Sequence, residues 1–93
     1  MKFIKLNHRY ANYPKWKFAL EFGTYKSQKL QRVKYAAAFR NLYGPSTRFN
    51  PEYSMFDTKP YYLFNDNWYN DEKRGRICFN NESDVTAVTL LLK

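Results

Sequence analysis

Histidine and cysteine each occur once, as His8 and Cys78, in a chain of 93 residues. Structural zinc needs a cluster of Cys, His and carboxylate ligands at set spacings, and this chain cannot supply one. A Cys-His or Ser-His-Asp arrangement would have to bring His8 and Cys78 together across seventy residues, beside a third orienting group. A lone cysteine also excludes an internal disulfide framework and fits a reducing compartment. Glycine is nearly as scarce. Gly23, Gly44 and Gly75 stand apart, so no glycine-rich loop is present to cradle a phosphate. No run approaches the roughly 18 apolar residues of a membrane span, and the opening MKFIKLNHRY is too short and too charged for a secretory signal. A soluble, cytoplasmic protein is expected, with no membrane partner, no cofactor and no enzymatic activity.

Aliphatic side chains are also few, with thirteen Leu, Ile and Val against nineteen Phe, Tyr and Trp. The core should therefore be built largely from rings. A chain of 11.3 kDa fits one small domain, residues 1–93. By area scaling it would expose about 5,700 Å² folded against roughly 16,000 Å² unfolded, which allows a modest core.

Acidic side chains are missing from one half. Residues 1–50 carry eleven Lys and Arg against Glu21 alone, a balance of +10. Residues 51–93 carry five basic and seven acidic side chains, a balance of −2, and the two halves sum to +8. Such asymmetry in a short chain predicts a basic face that meets an anionic partner.

Lys2 to Asn7 reads as a short strand with Phe3 on one face and Ile4 and Leu6 on the other. From Lys15 to Phe22 the row Trp16, Phe18, Leu20 and Phe22 alternates with Lys15, Lys17, Ala19 and Glu21, the period of a strand. Ser27 is a candidate N-cap for a helix over Gln28 to Tyr43, which Gly44, in a left-handed cap, and Pro45 should end. At 100° per residue this helix has two apolar arcs, one of Tyr35, Phe39, Leu42 and Tyr43 and one of Leu30, Val33 and Ala37. One arc should pack on the sheet and the other meet a loop or a partner. Lys26, Lys29 and Arg40 share one side of the wheel, with Arg32 just beyond and Lys34 on the far side.

Pro45 to Pro60 has no period and reads as a long irregular connection pinned by Phe49, Tyr53, Met55 and Phe56. Tyr61 to Tyr69 and Arg76 to Phe79 should form a hairpin around Asn70 to Gly75, with Ile77 and Phe79 inward and Arg76 and Cys78 outward. Asn81 can cap a final short helix, whose tail from Thr89 to Lys93 is compatible with helix or edge strand. The order ββαββα predicts an α+β fold, with an antiparallel sheet of about four strands, one main helix and a short C-terminal helix.

Asp66, Asp71, Glu72 and Lys73 are the only clustered carboxylates with a nearby lysine, and their place at a hairpin tip suits turn chemistry better than metal catalysis. A stronger signal is the interleaving of Arg9, Tyr10, Tyr13, Lys15, Trp16 and Lys17, since cations beside rings can hold phosphates and stack bases. Trp16 belongs to the alternating row and is expected in the core, which leaves Tyr10 and Tyr13 as the surface rings.

The stretch Trp68-Tyr69, then Gly75-Arg76-Ile77-Cys78-Phe79-Asn80-Asn81-Glu82-Ser83-Asp84-Val85, resembles a segment that recurs in small accessory proteins of tailed bacteriophages. There an aromatic strand, a Gly-Arg turn exit, a strand and an acidic helix start follow one another. The resemblance implies a phage accessory protein acting in the host cytoplasm, a group in which small binders of host machinery are common. It carries over no functional residue. Two functions fit these observations. One is a nucleic-acid binder in which Arg9, Lys15, Lys17, Lys26, Lys29, Arg32 and Arg40 neutralise phosphates while Tyr10 and Tyr13 stack. The other is a host-directed inhibitor that binds an acidic surface of a host protein through the same residues.

Overall fold

The computed structural model describes residues 1–9, 15–23, 25–56 and 58–92. The fold is α+β. Its elements are β1 (Lys2–Lys5), β2 (Phe18–Glu21), α1 (Lys26–Tyr43), β3 (Thr47–Phe49), β4 (Tyr62–Phe64), β5 (Trp68–Asp71), β6 (Arg76–Phe79) and α2 (Asp84–Leu91). Four strands form an antiparallel sheet in the order β1-β2-β6-β5, and β3 pairs with β4 in a separate two-stranded ribbon.

Alternation along β2 and β6 gives the sheet two buried faces. Phe18, Leu20, Phe22, Ile77 and Phe79 face the helices, where they meet Phe39, Ala38, Tyr35 and Val88. Rings dominate this core as composition demands. Phe39 stacks on Trp68 at 5.5 Å between centroids and tilts against Phe79 at 5.4 Å. Phe79 in turn contacts Phe18 at 5.8 Å and Phe3 at 6.2 Å.

The opposite face departs from expectation. Cys78 does point away from the helices, but it is fully buried with Ala19, beneath Leu6 and Trp16. Trp16 itself does not join the Phe18 row. The chain bends at Lys17, where Lys17 O accepts from the Leu6 amide at 2.8 Å and the Lys17 amide donates to Asn80 Oδ1 at 3.0 Å. That bend swings the indole onto the far face, where it stacks on Tyr69 at 6.4 Å.

Helix α1 starts at Lys26, so Ser27 lies inside it, and the cap position falls to Tyr25, which makes no side-chain cap bond. At the other end Gly44 has φ 84° and ψ −177°, outside the left-handed helical region, and its N–H donates to Arg40 O at 2.8 Å. Only glycine takes that conformation without strain. Asn81 does not cap α2 directly. Its Oδ1 accepts from the Ser83 amide at 3.2 Å and the Ser83 hydroxyl at 2.8 Å, organising a turn that delays the helix to Asp84. The tail is helical through Leu91.

The segment from Pro45 to Pro60 is not wholly irregular, and Tyr61 to Tyr69 is not one strand. Asn65 Nδ2 donates to Tyr43 O at 2.8 Å and Pro45 O at 3.3 Å, which pins the chain to the end of α1 and divides it there. The part before Asn65 pairs with β3 and the part after it hairpins with β6. At the tip of that hairpin Gly75 has φ 63°, and a Cβ there would collide with Gly23 O. The folded chain exposes 6709 Å², more than the about 5,700 Å² that scaling gives for its mass. Exposed rings on the β3–β4 ribbon contribute to that surplus.

The two helices are joined by a hydrogen bond from the Tyr43 hydroxyl to buried Asp84 Oδ1 at 2.5 Å. That bond, with burial and the carboxylate's charge, pushes the Tyr43 phenol from its ordinary 10.0 up to about 12.

Replacing Phe39 with Ala should lower the unfolding free energy by about 3–5 kcal/mol, a large share of the about 5–15 kcal/mol available to such a domain. Urea denaturation measures it, and a loss below about 1 kcal/mol would show that Phe39 is not the hub of the core. Because folding raises the Tyr43 pKa, the stabilisation is complete below pH 10 and is lost as pH rises toward 12. Tyr43→Phe should therefore flatten the fall in stability across that window. Equal slopes in the two proteins would remove the helix clasp.

Candidate nucleic-acid interface

Helix α1 contains no carboxylate among its eighteen residues, KSQKLQRVKYAAAFRNLY. Tyr35, Ala38, Phe39 and Tyr43 turn one side to the sheet, and at 100° per residue the opposite side presents Lys26, Lys29 and Arg40, with Lys34 at its margin about 80° from Lys26 rather than on the far side, all exposed. The second apolar arc lies among these cations rather than under a loop, with Leu30 60% and Val33 51% exposed. Lys26 and Lys29 stand in the first turn, where the helix dipole disfavours cations by about 0.3–1 kcal/mol each, and Tyr25 at the cap position makes no side-chain cap bond to offset them.

Arg32 is not part of this face. Its wheel position falls within the buried side, between those of Gln28, Phe39 and Tyr43, and only 4% of it is exposed. Its Nη1 donates to Asn70 Oδ1 at 2.6 Å, which anchors α1 to the β5 edge. No ion pair among the described residues involves it. Arg32 is a structural cation, inaccessible to a phosphate.

Beside the outer face runs an open groove of about 1020 Å³. One wall is α1, through Val33, Ala37 and Arg40. The rest is β5 from Trp68 to Asp71 and the ribbon residues Thr47 and Phe64, with Glu72, Lys73 and Arg74 added by the β5–β6 turn. Of the two carboxylates in that turn, buried Asp71 is held by Arg74 Nη1 at 3.1 Å and its Oδ1 accepts from the Arg74 amide at 3.4 Å, ordinary turn chemistry.

Lys15 joins this site. Its Nζ lies 5.3 Å from the Phe64 ring centre and 5.7 Å from that of Trp16, so one ammonium serves two rings. Through Phe64 it is linked to the groove that Arg40 lines. Arg9 and Lys17 are exposed on the segments flanking residues 10–14, with the Arg9 amide donating to Asn7 Oδ1 at 2.9 Å. Tyr10 and Tyr13 lie outside the described residues. Lys26 and Lys29 occupy the far end of α1, with Lys26 about 21 Å from Arg40 along the axis.

Sequence reasoning missed Tyr62 and Phe64, which were assigned to a hairpin strand, and treated Phe49 as a loop pin. The available signal was a pair of short β-prone triplets, Thr47-Arg48-Phe49 and Tyr62-Leu63-Phe64, on either side of a Pro- and Asn-containing loop. No helix among the described residues is long and apolar enough to cross a membrane. No family model matches the chain, and neither the curated proteins nor the solved structures include a significant match to it.

With Arg32 internal, Arg32→Met should leave the salt dependence of any polyanion binding unchanged, because a cation that touches no phosphate releases no counterion. Removing a buried cation whole is often neutral for stability. Asn70→Ala should cost about 1.5–3 kcal/mol, since it strands the guanidinium. Thermal unfolding of both variants tests the contrast. A weakened salt slope in Arg32→Met would return that residue to the surface.

Proposed function

We propose that this protein binds nucleic acid through the outer face of α1 and the groove beside it, and that it acts as a non-enzymatic binding protein. The observation that carries the reading is the helix without a carboxylate, whose four exposed cations end at a groove rim that adds Lys15 through its contact with Phe64. Lysines in an uncapped first turn are locally unfavourable for a helix, and such departures from local rules concentrate at functional surfaces. A stripe about 21 Å long spans several phosphates of a nucleic-acid backbone.

Leu30 and Val33 favour a second reading. Exposed apolar side chains encircled by cations resemble the centre and rim of a protein interface, which suits an acidic host protein as partner of a phage accessory protein. The two readings differ in what they need. Phosphate contacts release counterions and make affinity fall steeply with salt, whereas a protein partner would depend on Leu30 and Val33.

Replacing Lys29 and Arg40 together with Glu should weaken nucleic-acid binding at least tenfold, about 1.4 kcal/mol. It should also reduce the slope of log affinity against log salt by about 1.4–1.8. Fluorescence anisotropy at several salt concentrations reads both, with circular dichroism to confirm folding. Unchanged affinity in the folded double variant would remove the helix face from the site.

A further inference from the structure

We infer that the occupant of this site is a single-stranded polynucleotide, and that the β3–β4 ribbon is the platform on which its bases stack. The inference rests on the nucleic-acid reading above and names its substrate class. Pairing sets Thr47 opposite Phe64 and Phe49 opposite Tyr62, so these four side chains share one face of the ribbon while Arg48 and Leu63 take the other. Phe49, Tyr62 and Phe64 are 54%, 53% and 54% exposed, each with about half its surface open to solvent.

An isolated two-stranded ribbon is marginal in water, yet this one is held at both ends. Asn65 ties its base to the carbonyls of Tyr43 and Pro45. At the far end buried Asn50 donates from Nδ2 to Pro60 O at 2.9 Å and accepts the Glu52 amide at 3.0 Å. The rings are positioned as well. Tyr61 sets its edge or face against Phe49 at 5.0 Å and Tyr62 at 4.8 Å, with interplanar angles of 80° and 77°. The ribbon thus presents rings whose orientation is established before any ligand arrives.

Flat, half-exposed rings match unstacked bases, whose faces are free. In a duplex those faces are already covered by neighbouring bases, and the same rings would find nothing to stack on. Tyr62 and Phe64 are separated by about 7 Å along the strand, twice the about 3.4 Å rise of stacked bases, so each has room for its own base. Charge complementarity supplies the backbone contacts. Lys15 Nζ sits 5.3 Å from the Phe64 ring centre, and Phe64 lines the same groove as Arg40 and Lys73.

The test is anisotropy with a short labelled homopyrimidine strand, as DNA in one arm and RNA in another, and with each strand annealed to its complement. Single strands of one or both sugars should bind at least tenfold tighter than the duplexes. Tyr62→Leu and Phe64→Leu, which keep apolar bulk but remove the ring, should each weaken single-strand binding about five- to hundredfold with the salt slope unchanged. Thermal unfolding confirms that both variants fold. Duplex binding as tight as single-strand binding, or ring variants that bind like wild type, would overturn the stacking platform while leaving the cationic helix in place. No binding to any polynucleotide would overturn both, and would point to a protein partner.

Discussion

Trp68 joins the three parts of this molecule. Its ring stacks on Phe39 of α1, it pairs with Phe79 across the sheet, and its indole Nε1 donates to Gly44 O at 2.9 Å where the helix ends. That one residue sets the distance between helix and sheet and the point at which the chain leaves for the ribbon. Asn65 and Ser46 complete the junction, the first through the carbonyls of Tyr43 and Pro45, the second by accepting the Asn70 amide at 3.0 Å. The groove is the space this junction leaves open, so its geometry follows from core packing rather than from a loop.

Cations divide between two roles according to helix phase. Arg32 turns inward and spends its guanidinium on Asn70 at the sheet edge. Lys26, Lys29, Lys34 and Arg40 turn outward and find no carboxylate on their own helix. Mutual repulsion along such a stripe lowers helix stability, and core packing by Phe39 and Tyr35 maintains the helix against it. Partner binding would relieve that repulsion, which makes the stripe an attractive surface for a polyanion.

Rings are likewise divided. Phe18, Phe22, Phe39, Trp68 and Phe79 form the core that a chain short of aliphatic side chains must build. Phe49, Tyr62 and Phe64 remain outside it, on a ribbon with no apolar layer of its own in either core cluster. On the ribbon these three rings keep about half their surface in solvent. Lys15, poised over Phe64 and Trp16, connects that exposed set to the buried one.

Local signals determined much of this protein. Alternation from Phe18 to Phe22 specified a strand and its core face, Gly44-Pro45 ended the main helix, the turn around Asn70 to Gly75 specified a hairpin, and the charge imbalance marked the basic half. Each depends on residues close in sequence. Tertiary structure decided the rest. Thr47 and Phe64 are seventeen residues apart, and nothing between them carries the period that would announce their pairing. Trp16 left its row because the chain bends at Lys17 to meet Leu6 and Asn80. Arg32 looked like one more surface cation because charge alone says nothing of helix phase relative to a sheet. Only the docking of Phe39 against Trp68 and Phe79 fixed that phase, and with it which cations face solvent and which face the core.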